Sequence, residues 1–91
     1  MNYPPNAFFY VYVLRGHADG QFYTGYTADL RNRVKEHDDG NVLSTTRRRP
    51  LQLVYYEACL NQQDATHREK YLKTAWEKQY LKTRMGNYLM G

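Results

Sequence analysis

The feature that most constrains this fold is a pair of aromatic-rich segments joined by a short polar spacer. Residues Phe8–Leu14 and Gln21–Tyr26 are dense in tyrosine, phenylalanine and β-branched side chains, which is typical of β-strands. The spacer Arg15–Gly20 ends in Asp19-Gly20, a dipeptide that favours a turn. Strands with so short a connection pair antiparallel, so the sequence predicts a β-hairpin here.

A helix is predicted directly after the hairpin, from about residue 28 to residue 39. Thr27 and Asp29 are both suitable N-caps, because their side-chain oxygens accept hydrogen bonds from the first free N–H groups of a helix. Gly40 suits the left-handed conformation with which many helices end.

The second half of the chain is predicted to add one more strand and further helix. Asn41–Pro50 is a polar, basic loop, and Leu51–Glu57 has the composition of a third strand. From Asn61 onward the residues favour helix up to Gly86, as two helices or as one bent helix. We therefore expect an α+β fold in one domain over residues 1–91, with a core of about residues 8–89. A small three-stranded antiparallel sheet is flanked by helices, in the order β-β-α-β-α with or without a last short helix.

Composition narrows the class of protein. No apolar run approaches the roughly 18 residues of a membrane span, and no signal peptide is recognisable, so no membrane partner is expected. Cys59 is the only cysteine, which excludes an internal disulfide and a cysteine-built zinc site and favours a reducing, cytoplasmic location. The net charge is +4, and Arg47, Arg48 and Arg49 form a basic run. Such charge fits a nucleic-acid backbone or a solvated basic face equally well.

The first helix places two polar residues on its apolar stripe. Leu30, Arg33, Val34 and His37 fall within an arc of roughly 100° on a helix of 3.6 residues per turn. Taken singly, Arg33 is explained as a side chain whose head reaches water, and His37 as a group that caps the C-terminal end of its helix.

The second helical segment repeats this anomaly with a carboxylate. Ala65, Glu69, Leu72 and Trp76 lie within an arc of roughly 60°, and Glu69 alone among them is charged. A carboxylate directed at a core costs several kcal/mol unless it is paired or binds a metal. Glu69 therefore either forms a buried ion pair with Arg33 or binds a divalent cation.

The hairpin adds hydroxyl groups and a glycine to this set. Tyr12 lies in the first predicted strand and Tyr23 in the second, although a wet sheet face would also account for tyrosines. Gly25 within a strand indicates a bulge or a close approach to the backbone. A carboxylate, a guanidinium, an imidazole and two phenols make a phosphate-handling site plausible.

These residues together resemble the GIY-YIG nuclease family, in particular its small stand-alone members related to the nicking module of the excision-repair excinuclease C subunit. Tyr10-Val11-Tyr12 corresponds to the first triplet of the family and Tyr23-Thr24-Gly25 to the second. The helix pattern runs from Asp29-Leu30 through Arg33 to His37, and the family's glutamate corresponds to Glu69. The resemblance covers about residues 8–89, nearly the whole chain.

The sequence departs from the family pattern at a few positions. Tyr10 stands where the first triplet has glycine, and Thr24 stands where the second usually has isoleucine or valine. Many family nucleases carry a late asparagine, for which Asn87 is the nearest candidate, although Asn87 also suits a helix cap.

The resemblance implies a nuclease that hydrolyses phosphodiesters, most simply of DNA, with Mg²⁺ or Mn²⁺. It assigns Glu69 as the metal ligand, Arg33 as the group that stabilises phosphate charge, and Tyr12 or Tyr23 as the base for water. His37 would assist proton transfer or orient a tyrosine. The tyrosine pKa, near 10, would have to be lowered by neighbouring cations.

The resemblance also implies a nucleic-acid surface, for which we expect Arg47, Arg48, Arg49, Lys70 and Lys73 to contact phosphates. The chain is expected to be a monomer or a weak homodimer. Two other classes of protein remain as alternatives: an inactive nucleic-acid-binding module on the same fold, and a partner-binding domain whose basic face is incidental.

Overall fold

The computed structural model of the protein describes residues 8–74 and 82–90 around a three-stranded antiparallel sheet. The strands are β1 (Phe9–Gly16), β2 (Phe22–Thr27) and β3 (Leu51–Cys59), and β1 lies between the other two. Each predicted strand is confirmed, with ends that move by one or two residues. The ends move because strands continue for as long as a neighbour supplies hydrogen bonds, which composition does not reveal.

The turn between β1 and β2 depends on Gly20, whose φ of +67° favours glycine. The backbone N–H of Gly20 donates to the carbonyl of Gly16 at 2.9 Å. Asp19 accepts a hydrogen bond from the backbone N–H of Gln21 and an ion-pair contact from Arg48 at 3.1 Å. The basic loop is thereby tied to the hairpin.

The first helix, α1 (Leu30–Asp38), has the predicted signals at both ends. Asp29 is its N-cap and accepts from the backbone N–H of Asn32 at 3.2 Å. Thr27 supports that cap, because its hydroxyl oxygen accepts from the backbone N–H of Asp29 at 3.0 Å. Gly40 follows the helix with a φ of +80°. Both predicted capping residues are therefore used: Asp29 caps the helix, and Thr27 holds Asp29 in place.

The helices α2 (Gln62–Leu72) and α3 (Gly86–Met90) follow β3 in the described part of the chain. One face of the sheet packs against residues that follow β3 in the chain. Two buried clusters fill that face: Val11 with Ala65 and Leu72, and Val13 with Met85. Trp76, predicted to continue the stripe of α2, lies outside the described residues. Within the described ranges no helix is long and apolar enough to cross a membrane.

Candidate active site

The site is built around Tyr12, which is fully buried in the central strand. Gly25 lies opposite Tyr12 in β2, so the two residues face the same side of the sheet. A Cβ placed at Gly25 would lie 2.9 Å from Cε1 of Tyr12 and closer still to its Cζ and hydroxyl. The phenol ring therefore occupies the space that any other side chain at Gly25 would need. This is the close approach to the backbone that the sequence indicated.

His37 of α1 completes an aromatic cluster with the two tyrosines. Its Nε2 lies 2.9 Å from the hydroxyl of Tyr12, and its ring centroid lies 5.7 Å from that of Tyr12 and 5.1 Å from that of Tyr23. The imidazole is fully buried. Since both ring nitrogens are engaged by side chains, the alternative that His37 caps the C-terminal end of its helix is wrong.

The second nitrogen of His37 binds Thr45, whose loop was expected to contact phosphates. Nδ1 lies 2.7 Å from the hydroxyl oxygen of Thr45, which is fully buried in the loop after α1. A loop has no periodicity that would reveal burial, so a threonine beside a run of arginines looked like a surface residue. The tertiary fold instead directs its hydroxyl inward.

Arg33 approaches Tyr12 from the solvent side of the cluster. Its guanidinium interacts with the Tyr12 hydroxyl, and this interaction is the main reason that the pKa of Arg33 is raised. Its Nη1 lies 3.5 Å from Oε1 of Glu36, and its side chain is 34% exposed. Part of the guanidinium thus remains accessible to a ligand.

Glu69 of α2 reaches the same cluster from the opposite side. Its Oε2 lies 3.0 Å from Nζ of Lys73, and its side chain is 21% exposed. Nζ of Lys73 lies 6.0 Å from the ring centroid of Tyr23, and the Glu69 charge contributes to raising the pKa of Tyr12. The predicted ion pair between Glu69 and Arg33 is wrong, because a lysine one helical turn away on the same face is nearer.

Burial controls the proton affinities at the centre of the site. It raises the pKa of Tyr12 to about 12, although the hydrogen bond from Arg33 acts in the other direction. It also lowers the pKa of His37, and the neighbouring Arg33 charge adds to that effect. At Tyr12 the guanidinium alone does not bring the pKa below its ordinary value, since desolvation of the phenolate outweighs it.

Glu69 offers a partly exposed carboxylate to a divalent cation here. In residues 8–74 and 82–90, no three acidic, histidine or cysteine side chains lie close enough to form a metal cage. Mg²⁺ nevertheless retains several waters and often binds through one or two carboxylates together with substrate phosphate oxygens. A partly exposed Glu69 beside the cluster fits that mode, with Lys73 as the counter-ion that a metal would replace.

The five basic residues expected to contact phosphate have different surroundings. Arg48 pairs with Asp19, and Arg49 donates to the backbone carbonyls of Thr46 and Asp38 at 2.9 and 3.3 Å. These two arginines fasten the loop to the rest of the fold. Lys73 belongs to the cluster, whereas the side chains of Arg47 and Lys70 are exposed and form no hydrogen bond or ion pair with other described residues.

Asn87 lies apart from these contacts, exposed at the second residue of α3. The next residue, Tyr88, donates to Oε1 of Gln52 at 3.3 Å and packs its ring 5.8 Å from the guanidinium of Arg15. No described contact brings Asn87 to the aromatic cluster. Its catalytic role stays a prediction, as do those of the five clustered residues.

Comparison with known proteins defines the family. Residues 8–87 match the GIY-YIG catalytic domain, a family model that spans most of the chain. The chain belongs to the GIY-YIG family, as the triplets, the Arg/His helix and the glutamate predicted. Membership implies a nuclease-type function and suggests nucleic-acid binding.

Within that family the chain is similar to small UPF0213 proteins. The "UPF0213 protein in ldhD 5'region" of Pediococcus acidilactici is 45% identical over 85 residues, which is 90% of this chain and 86% of that protein. A UPF0213 protein of Bacillus subtilis is 39% identical over 80% of this chain and 72% of its own length. The solution NMR structure of a UPF0213 protein from Bacillus halodurans superposes with a TM-score of 0.52 at 36% identity, covering 81% of each chain. The predicted α+β fold is confirmed.

Proposed function

We propose that this protein is a divalent-metal-dependent endonuclease that hydrolyses phosphodiester bonds of DNA. The observation that carries the proposal is the convergence of three elements on one cluster. Arg33 acts on Tyr12, Tyr12 is hydrogen-bonded to His37, and Lys73, the ion-pair partner of Glu69, lies beside Tyr23. A carboxylate, an accessible guanidinium and buried phenols are the groups that phosphoryl transfer requires.

Glu69 is the residue proposed to hold the metal ion. Its carboxylate is partly exposed, and its charge acts on Tyr12. When bound, a divalent cation supplies Lewis acidity, which polarises the phosphate and favours departure of the leaving oxygen. Lys73, which holds the carboxylate in place, would then be free to contact a phosphate oxygen.

Arg33 is proposed to stabilise the charge that grows on the phosphate oxygens during attack. A guanidinium presents five donors in a rigid plane, so it can keep the bond to Tyr12 and still donate to a phosphate. Its contact with Tyr12 and its 34% exposed side chain are consistent with both tasks.

Tyr23 is the better candidate of the two tyrosines to touch the attacking water. Tyr12 is fully buried, its pKa is raised to about 12, and its hydroxyl is held between Arg33 and His37. Tyr23 is partly exposed, and Nζ of Lys73 lies 6.0 Å from its ring centroid. We therefore assign Tyr23 to the water and Tyr12 to the positioning of Arg33.

The test is a panel of duplex, branched, flapped and single-stranded DNA, incubated with Mg²⁺ or Mn²⁺ and with EDTA. Wild-type protein is expected to cleave at least one substrate with metal and none with EDTA. Glu69→Gln should lower the cleavage rate by at least about a hundredfold, since removal of one preorganised charged group has effects of this size. Its circular dichroism spectrum and melting temperature should stay close to those of the wild type.

Asp64→Asn is the matched control, because Asp64 is an exposed acid in the first turn of the same helix. It changes the charge of α2 by the same amount and should leave cleavage unchanged. If the wild-type protein cleaves nothing in the panel, the proposed nuclease activity is contradicted. If Glu69→Gln keeps full activity, the assignment of Glu69 as the metal ligand is contradicted, whereas the nuclease activity is not.

A further inference from the structure

The hydrogen-bonded chain through Tyr12, His37 and Thr45 has a direction that its chemistry determines. Arg33 can only donate, so it cannot accept the hydroxyl proton of Tyr12. The other partner of that hydroxyl is Nε2 of His37 at 2.9 Å. Since Tyr12 is fully buried, its proton needs an acceptor within the protein, and Nε2 is the group that offers a lone pair.

The same reasoning fixes the proton of the imidazole. A neutral histidine carries its proton on one nitrogen, and Nε2 must be free to accept from Tyr12. The proton of His37 therefore sits on Nδ1 and is donated to the hydroxyl oxygen of Thr45 at 2.7 Å. The hydroxyl of Thr45 in turn donates its proton to the carbonyl oxygen of Val42, 3.5 Å from its own oxygen. Tyr12, His37 and Thr45 thus each donate one hydrogen bond.

We propose that Thr45 is a positioning residue that sets the tautomer of His37 and, through it, the direction of the Tyr12 hydroxyl. With the proton of Tyr12 directed at His37, the lone pairs of its oxygen face Arg33. The guanidinium is then held by an acceptor and presented to the phosphate. This role rests on the nuclease activity proposed above, whereas the tautomer itself is a property of the folded protein.

The burial of Thr45 makes the arrangement specific. Its side chain is fully buried, its backbone N–H donates to the carbonyl of Val42 at 3.1 Å, and the described part of the chain holds no buried side-chain nitrogen or oxygen without a partner. Water therefore cannot easily substitute for its hydroxyl. With valine at this position, Nδ1–H would face a methyl group, and protonation of Nδ1 would no longer be stabilised by an acceptor.

The first experiment reads the tautomer of His37 directly from the ¹⁵N chemical shifts of its two ring nitrogens at neutral pH. Wild-type protein should show a protonated Nδ1 and an unprotonated Nε2. The opposite assignment in the wild type overturns the proposal, and this measurement needs no variant to fold.

Thr45→Val should move the imidazole proton to Nε2 or mix the two forms, and Thr45→Ser, which keeps the hydroxyl, should retain the wild-type pattern. Thr46→Val is the matched control, because it makes the same change at the next residue of the loop, where no side-chain hydrogen bond is lost. An unaltered His37 tautomer in Thr45→Val overturns the proposal.

The second experiment measures cleavage by the same variants. Thr45→Val should lower kcat by roughly ten- to a hundredfold, the scale on which outer hydrogen-bond partners of reacting groups act, with KM unchanged. Thr45→Ser and Thr46→Val should retain the wild-type rate. A shifted tautomer with full activity overturns the positioning role. Absence of cleavage by the wild type would count against the nuclease, while the spectra would still decide the tautomer.

Discussion

The two halves of the candidate site differ in how much of their geometry is fixed before any ligand arrives. Tyr12, His37 and Thr45 are fully buried, and successive side chains are joined at 2.9 and 2.7 Å. Glu69 and Lys73 form one ion pair at 3.0 Å, and their side chains are 21% and 50% exposed. We call these the buried chain and the exposed pair.

The difference follows from what each half has to do. A buried network of neutral groups in low dielectric is rigid, and it is costly to disturb because each lost partner leaves an unsatisfied group. A partly exposed ion pair is worth little, so it can open at small cost when a better ligand arrives. The contrast indicates that the buried chain, on the sheet and α1, is positioned before a ligand binds. The exposed pair on α2 can rearrange when a ligand binds.

The largest effect is expected from Gly25→Ala, which places a methyl group against the ring of Tyr12. The added Cβ would lie 2.9 Å from Cε1 of that ring and closer to other atoms, and neither strand can move without breaking its ladder. Overpacking of this kind should lower the free energy of unfolding by about 3 kcal/mol.

Urea denaturation measures that loss, with Gly86→Ala as the control. A Cβ at Gly86 meets nothing within 4 Å, so this variant should be neutral or slightly stabilising. If Gly25→Ala is as stable as the wild type, the buried chain is less rigid than its contacts imply.

A smaller effect is expected from pH, because burial shifts two groups of the buried chain in opposite directions. The pKa of Tyr12 is about 12 in the folded protein against 10.0 otherwise, so the folded state holds this proton more tightly. The contribution of Tyr12 to stability should be complete below pH 10 and decline by roughly 2 kcal/mol as pH rises towards 12. Tyr12→Phe removes the ionising group, so it should show a shallower alkaline decline.

His37 determines how the stability of the fold depends on pH on the acidic side. Its pKa lies below the ordinary 6.5 in the folded protein, so the unfolded chain binds this proton more readily. Stability should therefore decline as pH falls below 6.5. Melting temperatures between pH 5 and pH 12, measured for both proteins, check the two sides; an alkaline decline that is the same in Tyr12→Phe would contradict the assignment.

The smallest effect on stability is expected from Lys73→Met, which breaks the exposed pair. The free energy of unfolding should change by less than about 1 kcal/mol, because exposed ion pairs contribute little. The magnesium concentration that gives half-maximal cleavage should fall, because the carboxylate of Glu69 loses a competing cation.

Lys35→Met provides the comparison, since Lys35 forms an i,i+4 pair with Asp39 at 2.7 Å on the surface of α1. It should match Lys73→Met in stability and leave the magnesium requirement unchanged. An equal change of that requirement in both variants would mean that Lys73 acts only through overall charge.

Much of the fold was readable because its signals are local. The aromatic and β-branched runs, Asp19-Gly20, the cap at Asp29 and Gly40 each act within a few residues, and each has the predicted role. The stripe that joined Arg33 to His37 was readable for the same reason, because helical spacing places residues four apart on one face.

The partners of those residues were not readable, because they come from other segments. The sequence placed Glu69 on the core-facing side of α2 and offered Arg33 as one possible partner, whereas Lys73 on the same helix is its partner. It treated the tyrosines as equivalent, whereas the central strand buries Tyr12 and the edge strand leaves Tyr23 partly exposed.

The sequence by itself therefore determined the family, the order of elements and the residue types that meet. Only the tertiary structure decided that Thr45 holds His37, that Arg48 and Arg49 fasten a loop, and that the pKa of Tyr12 is raised. The physical reason is that secondary structure depends on neighbours in the chain. Burial, hydrogen-bond direction and proton affinity depend on which segments exclude water from one another.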